Sequence, residues 1–134
     1  MPVRAKVLEF AASIDAEGRV AAEDCRMLEL PPEWTAEHLL LAALLRCSLT
    51  SLRYHAKRIG STASGGGSAR GTITQRSTDG RYAFVEIDAD LDVTLEPAPD
   101  DVGELLLKAE RDCFIGASLT AKPSYRWRVN GADL

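Results

Sequence analysis

Thr35-Ala-Glu-His-Leu-Leu-Leu-Ala-Ala-Leu-Leu-Arg-Cys47-Ser-Leu-Thr50 sets the architecture of this chain. Thr35 is a good N-cap, and Glu37 in the first turn suits the positive end of a helix dipole. Helical spacing continues to about Ile59, where Gly60 supplies a C-cap. Residues 39–45 are apolar on every side, which predicts a central, buried helix instead of a surface amphipath. Within this apolar run's register stands a thiol, Cys47.

Working outward, the N-terminal side reads as β structure. Val3 to Ala12 suits a strand, Asp15-Ala-Glu-Gly18 is a turn, and Arg19 to Leu30 supplies returning strands up to Pro31-Pro32. On the C-terminal side, Ser61 to Ala69 with its Gly65-Gly-Gly-Ser reads as a flexible loop. From Val85 to Glu96 apolar and polar residues alternate: Val85, Ile87, Ala89, Leu91, Val93 and Leu95 share one face, and an acidic stripe takes the other. Arg70 to Gln75 pairs with this strand through Thr78-Asp79-Gly80. After Pro97–Pro99, Asp100 or Asp101 caps a helix to about Asp112, and Tyr125 to Val129 forms a last strand. The prediction is a single α+β domain over residues 1–134, with antiparallel sheets around a long buried helix. So few elements cannot cover that helix, which predicts a homodimer with a large apolar interface.

Composition limits the function classes. A chain of 134 residues buries roughly two-thirds of its unfolded surface. Its 46% hydrophobic and 27% charged residues are those of a globular protein. A net charge of −4, with Arg53, Lys57 and Arg58 as a small group on a helix end, argues against nucleic-acid binding. The run from Leu39 to Leu45 is far below the about 20 residues that span a bilayer. No signal peptide is visible, and three cysteines without one suggest a reducing, cytoplasmic setting.

The cysteines carry the chemistry. Cys47 is followed far downstream by Cys113, in Glu110-Arg-Asp-Cys113-Phe-Ile-Gly-Ala-Ser118. A buried thiol is usually a small hydrophobe. Two thiols that meet across a fold instead offer a nucleophile and a resolving partner. Cys25 belongs to neither segment and reads as a thiol without a role. His38 and His55 lack the spacing of zinc ligands, and the acidic stripe of an extended strand does not converge on calcium. Nothing in the sequence points to a metal or an organic cofactor. Trp34, Phe84, Phe114, Tyr125 and Trp127 are candidates for an apolar pocket, or simply for the core.

Glu37-His-Leu-Leu-Leu-Ala-Ala-Leu-Leu-Arg-Cys47 resembles the central-helix motif of the OsmC/Ohr family, the osmotically inducible and organic hydroperoxide resistance proteins. Asp112-Cys113-Phe-Ile-Gly-Ala-Ser resembles that family's second motif, and the element order between them also matches. The resemblance implies an intertwined homodimer and a thiol peroxidase of organic hydroperoxides. It implies that Cys47 is the peroxidatic thiol, and that Cys113 resolves its sulfenic acid into an intramolecular disulfide. An external dithiol, such as a lipoylated protein, would then reduce that disulfide.

Glu37 matches the family's glutamate ten residues before the nucleophile, which helps hold an activating arginine; it also reads as a plain first-turn acid. That arginine normally sits in a Gly-Arg-Asp-Gly-type turn, whereas this chain has Ile14-Asp-Ala-Glu-Gly-Arg19. Arg19 is the substitute, with Arg4 and Arg26 behind it, and each also reads as a solvated surface residue. The Asn-Pro that often precedes the glutamate is replaced by Thr35-Ala36. These departures leave an alternative open: an OsmC-like protein that binds a small apolar molecule without efficient turnover.

Overall fold

A computed structural model describes residues 5–23 and 26–134. The chain divides into two compact units, Met1–Thr35 and Ala36–Leu134. In the first, β1 (Ala12–Ile14) and β2 (Val20–Ala22) form an antiparallel hairpin, with Ile14 opposite Val20. Asp15 builds the turn: its carboxylate accepts the Glu17 and Arg19 amides at 3.0 and 2.9 Å. The predicted hairpin is therefore present, but its first strand lies at Ala12–Ile14 and shares only Ala12 with the expected strand from Val3 to Ala12. Residues 5–11 carry no regular structure, and the Ala11 amide is capped by the Glu23 carboxylate at 2.6 Å instead of a ladder carbonyl. Alternation alone does not make a strand without a partner to accept its amides. The N-terminal part of that expected strand, with Arg4, lies outside the described residues, as does Cys25.

In the second unit a long helix packs across a mixed sheet, with two shorter helices. Helix α1 (Ala36–Arg58) leads into β3 (Thr62–Gln75) and β4 (Tyr82–Glu96), followed by α2 (Val102–Arg111), α3 (Phe114–Ser118), β5 (Ser124–Val129) and β6 (Ala132–Asp133). The sheet order is β3-β4-β5-β6, antiparallel except for the parallel β4–β5 pair. Gly60, at φ +77, closes α1, with Ser61 N–H donating to Ala56 O and Gly60 N–H to Lys57 O. This is the paired-bond ending that a left-handed glycine permits. Asp101 caps α2 by accepting the Glu104 amide at 3.0 Å.

The glycine-rich segment expected to be a loop is instead the first half of β3. Gly65 lies opposite Val93 and Gly67 opposite Leu91. A Cβ on Gly65 would strike the Asp92 carbonyl oxygen, and one on Gly67 the Asp90 carbonyl oxygen. Glycine here permits close approach between strands, and leaves no side-chain alternation for sequence reading to detect.

The apolar face of β4 is as predicted from Ile87 to Leu95, where Ile87, Ala89, Leu91, Val93 and Leu95 are all at most 2% exposed. Val85 departs from it. A bulge sets Ile73 opposite Phe84 and Thr72 opposite Glu86, so Val85 is skipped and 41% exposed while Phe84 turns inward. Helix α1 buries a stripe of Leu44, Ser48, Ser51, Leu52 and Ala56. The rest of its apolar run is only half-covered within one chain, and Leu39 is 37% exposed. Among the described residues no helix is long and apolar enough to cross a membrane.

Candidate functional site

Cys47 is half-buried near the middle of α1. Cys113 is fully buried where α2 gives way to α3. Helix α2 stops at Asp112, the chain turns extended at Cys113, and α3 starts at once. Cys113 is the N-cap of α3, its sulfur accepting the Gly116 amide at 3.4 Å. Leu44, Ile87 and Cys113 form a small core cluster, against which Leu41, Cys47, Phe84, Ile115, Leu119 and Ala121 pack. Both thiols are free, and they share this cluster.

The electrostatics of Cys47 favour its protonated form. Burial pushes the thiol up, the Ile115 and Phe114 N–H groups at the start of α3 pull it down, and the sulfur of Cys113 pushes it up again. A thiolate nucleophile at neutral pH therefore calls for a cation that these groups do not supply.

Polar side chains tie the elements around Cys113 together. Ser48 Oγ lies 2.8 Å from Leu44 O, 3.4 Å from Cys113 Sγ and 3.0 Å from Tyr125 Oη. Burial holds the Tyr125 phenol well above its ordinary range. Its ring stacks on Trp127 at 5.9 Å, and Trp127 Nε1 donates to Glu110 at 2.9 Å. At the other side of the junction, His55 Nε2 and Asp112 Oδ2 are 2.7 Å apart, tying α1 to the end of α2. Hydrogen bonds from Arg111 first, and from His55, hold the Asp112 carboxyl down at about 2.

Glu37 lies at the start of α1, which runs unbroken to Arg58. Ten residues of helical rise put it about 15 Å from Cys47 along the axis. It lines a cavity of about 600 Å³ together with Leu40, Tyr82, Phe84, Ile87 and Leu119. That cavity shares Phe84, Ile87 and Leu119 with the thiol cluster. Arg19 is occupied in the N-terminal unit by Asp15 at 2.7 Å and Glu17 at 3.7 Å, and Arg26 is exposed. Of the expected pocket aromatics, Phe84 lines this cavity and Trp127 is in the main core, while Trp34 and Phe114 are 47% and 62% exposed.

The structure thus brings Cys47 and Cys113 together and leaves Glu37 a helix's half-length away. Sequence reading missed Ser48, the hydroxyl role of Tyr125, and the His55–Asp112 pair. One signal was present: in the register Leu44, Ser48, Leu52, a hydroxyl interrupts an apolar stripe, and a buried hydroxyl requires a partner.

The sequence profile of a family described as OsmC-like protein matches residues 31–128. No curated protein matches the chain. Among solved structures, an OsmC-like protein from Vibrio cholerae is similar with a TM-score of 0.75 at 13% identity, over 90% of this chain and 99% of that one. The organic hydroperoxide resistance protein OhrB of Bacillus subtilis gives 0.55 at 15%, over 91% and 96%. A putative organic hydroperoxide resistance protein from Vibrio cholerae, with captopril bound in one of its active sites, gives 0.65 at 17%, over 97% and 96%.

Proposed function

The chain belongs to the OsmC-like family, and from that premise we propose that it is a cysteine-dependent peroxidase of organic hydroperoxides. The observation that carries this reading is the meeting of Cys47 and Cys113 in one cluster, the first half-exposed and the second buried behind it. Cys47 as thiolate attacks the terminal peroxide oxygen, the O–O bond breaks, and an alcohol leaves once protonated. The resulting Cys47 sulfenic acid condenses with Cys113, forming the disulfide and releasing water. An external dithiol, of which a lipoylated protein is one kind, restores both thiols. The apolar cavity that shares Phe84, Ile87 and Leu119 with the thiol cluster suits an alkyl or lipid hydroperoxide over hydrogen peroxide.

Glu37 and Arg19 are the proposed activating network for Cys47, acting in a cytoplasmic homodimer in which residues 1–134 work as one domain. What supports a dimer is the half-covered α1 face and the exposure of Phe114 and Tyr82, at 62% and 74%. A second reading keeps the fold as a binder of small apolar molecules, and it is favoured by the upward push on Cys47 and by the pairing of Arg19 with Asp15.

Turnover of cumene hydroperoxide with dihydrolipoamide, measured beside Cys47→Ser, separates the two. Turnover lost in the variant supports the peroxidase. Thiols that stay reduced under excess peroxide sink it and leave the binding protein.

A further inference from the structure

Ser48 occupies a junction that this reaction scheme leaves without a task. A serine hydroxyl has one proton to donate and two lone pairs to accept with. Here it stands, fully buried, within reach of a carbonyl oxygen, a sulfur and a phenol. Leu44 O can only accept. Tyr125, its phenol pushed up by burial, keeps its proton and can donate.

Two arrangements satisfy every member. Beside a Cys113 thiol, Ser48 donates to Leu44 O and its lone pairs accept the S–H and the Tyr125 O–H. Beside a Cys113 thiolate, which only accepts, the Ser48 proton rotates to sulfur while Tyr125 still donates to Ser48. Leu44 O loses nothing essential in that rotation, because as a residue inside α1 it keeps the backbone bond from the Ser48 amide. The Gly116 amide donates to the same sulfur in both states.

We propose that Ser48, backed by Tyr125, is the positioning residue of the resolving thiol: a one-proton rotor that stabilises the Cys113 thiolate as it attacks. In that step the Cys113 proton leaves, its sulfur bonds to the sulfur of the Cys47 sulfenic acid, and the S–O bond breaks. The departing hydroxide takes up the proton as water. Cys113 is oxidised and Cys47 reduced, with the organic hydroperoxide as the oxidant that made the sulfenic acid. This assignment to the resolving step rests on the peroxidase reading; the stabilisation of the Cys113 anion does not.

The other ionisable groups around Cys113 do not supply that stabilisation. Helix α1 offers Cys47, and His55 that is engaged by Asp112; the end of α2 offers Asp112 and Glu110, both acidic; β5 offers Tyr125 itself. Arg111 is bound to Asp112, and β4 contributes the apolar Ile87.

The test uses a protein in which Cys25 and Cys47 are both serine, so that Cys113 is the sole thiol. Its ultraviolet thiolate absorbance is followed against pH. Adding Ser48→Ala should raise the midpoint by about one pH unit or more, since a hydrogen bond to a charged group is lost. Adding Tyr125→Phe, which keeps the ring on Trp127, should raise it by less. In the chain with its thiols intact, both substitutions should slow disulfide formation after a peroxide pulse several-fold more than they change the appearance of sulfenic acid on Cys47. Midpoints unmoved in both variants overturn the proposal. If wild-type Cys47 is never oxidised, the peroxidase reading fails, and the titration alone still decides whether Ser48 stabilises the Cys113 anion.

Discussion

Ser51 and Ser48 sit on the same buried stripe of α1 with opposite fates. Ser48 meets three partners, whereas Ser51 Oγ is buried and meets no hydrogen-bond partner among the described residues. A buried hydroxyl without a partner is a net cost, and alanine is the better helix former. Ser51→Ala should therefore leave stability unchanged or raise it by up to about 1 kcal/mol in urea denaturation. A clear loss would show that Ser51 has a partner after all. Asp112 sets a pH dependence of known sign. Its folded carboxyl lies at about 2 against an ordinary 3.8, so folding favours the charged form. Its contribution is complete above about pH 4 and is lost as pH falls through about 2. Because the side chain is 38% exposed, solvent and salt keep that contribution small. Asp112→Asn should flatten the fall in stability over that window, and an unchanged acid profile would show that the pairs with Arg111 and His55 contribute nothing. At this scale Cys47 and Cys113 were legible from the sequence because each stood in a recognisable local run. Ser48 was not, because its partners Cys113 and Tyr125 are 65 and 77 residues away.

Strand β3 contains the glycines whose surroundings decide between loop and strand. Were residues 61–69 a loop, Gly67→Ala would stabilise the protein by about 0.4–1 kcal/mol by restricting the unfolded chain. In a strand whose glycine faces the Asp90 carbonyl, the same change should cost about 2 kcal/mol, as overpacking does. The sign of the shift in the urea midpoint distinguishes the two. Removing the α2 cap by Asp101→Ala should cost about 1 kcal/mol in the same assay, since the Glu104 amide loses its acceptor; no loss would mean that water replaces the cap without penalty. Helices α1 and α2 and strand β4 were legible because their caps and periods are written in adjacent residues; the short α3 was not. The bulge that turns Phe84 inward and Val85 outward was not, since it depends on register against Thr72 and Ile73 of the neighbouring strand.

Considered whole, the chain leaves an apolar helix face half-covered, and a second copy is the proposed cover. Sedimentation should give twice the 14.5 kDa of one chain at micromolar concentration; a monomer would remove the dimer and with it any site completed across it. The local order of residues by itself determined the α+β class, the long thiol-bearing helix, the hairpin turn at Asp79-Gly80, and the two cysteine segments. These follow from caps, turn residues and hydrophobic periods, which act within a few residues of one another. Only the tertiary structure decided that the glycine run is a strand, that β4 and β5 run parallel, and that Ser48 and Tyr125 join Cys113. Those outcomes depend on which distant backbones and side chains come into contact, and contact between distant segments is set by packing, which no local pattern records.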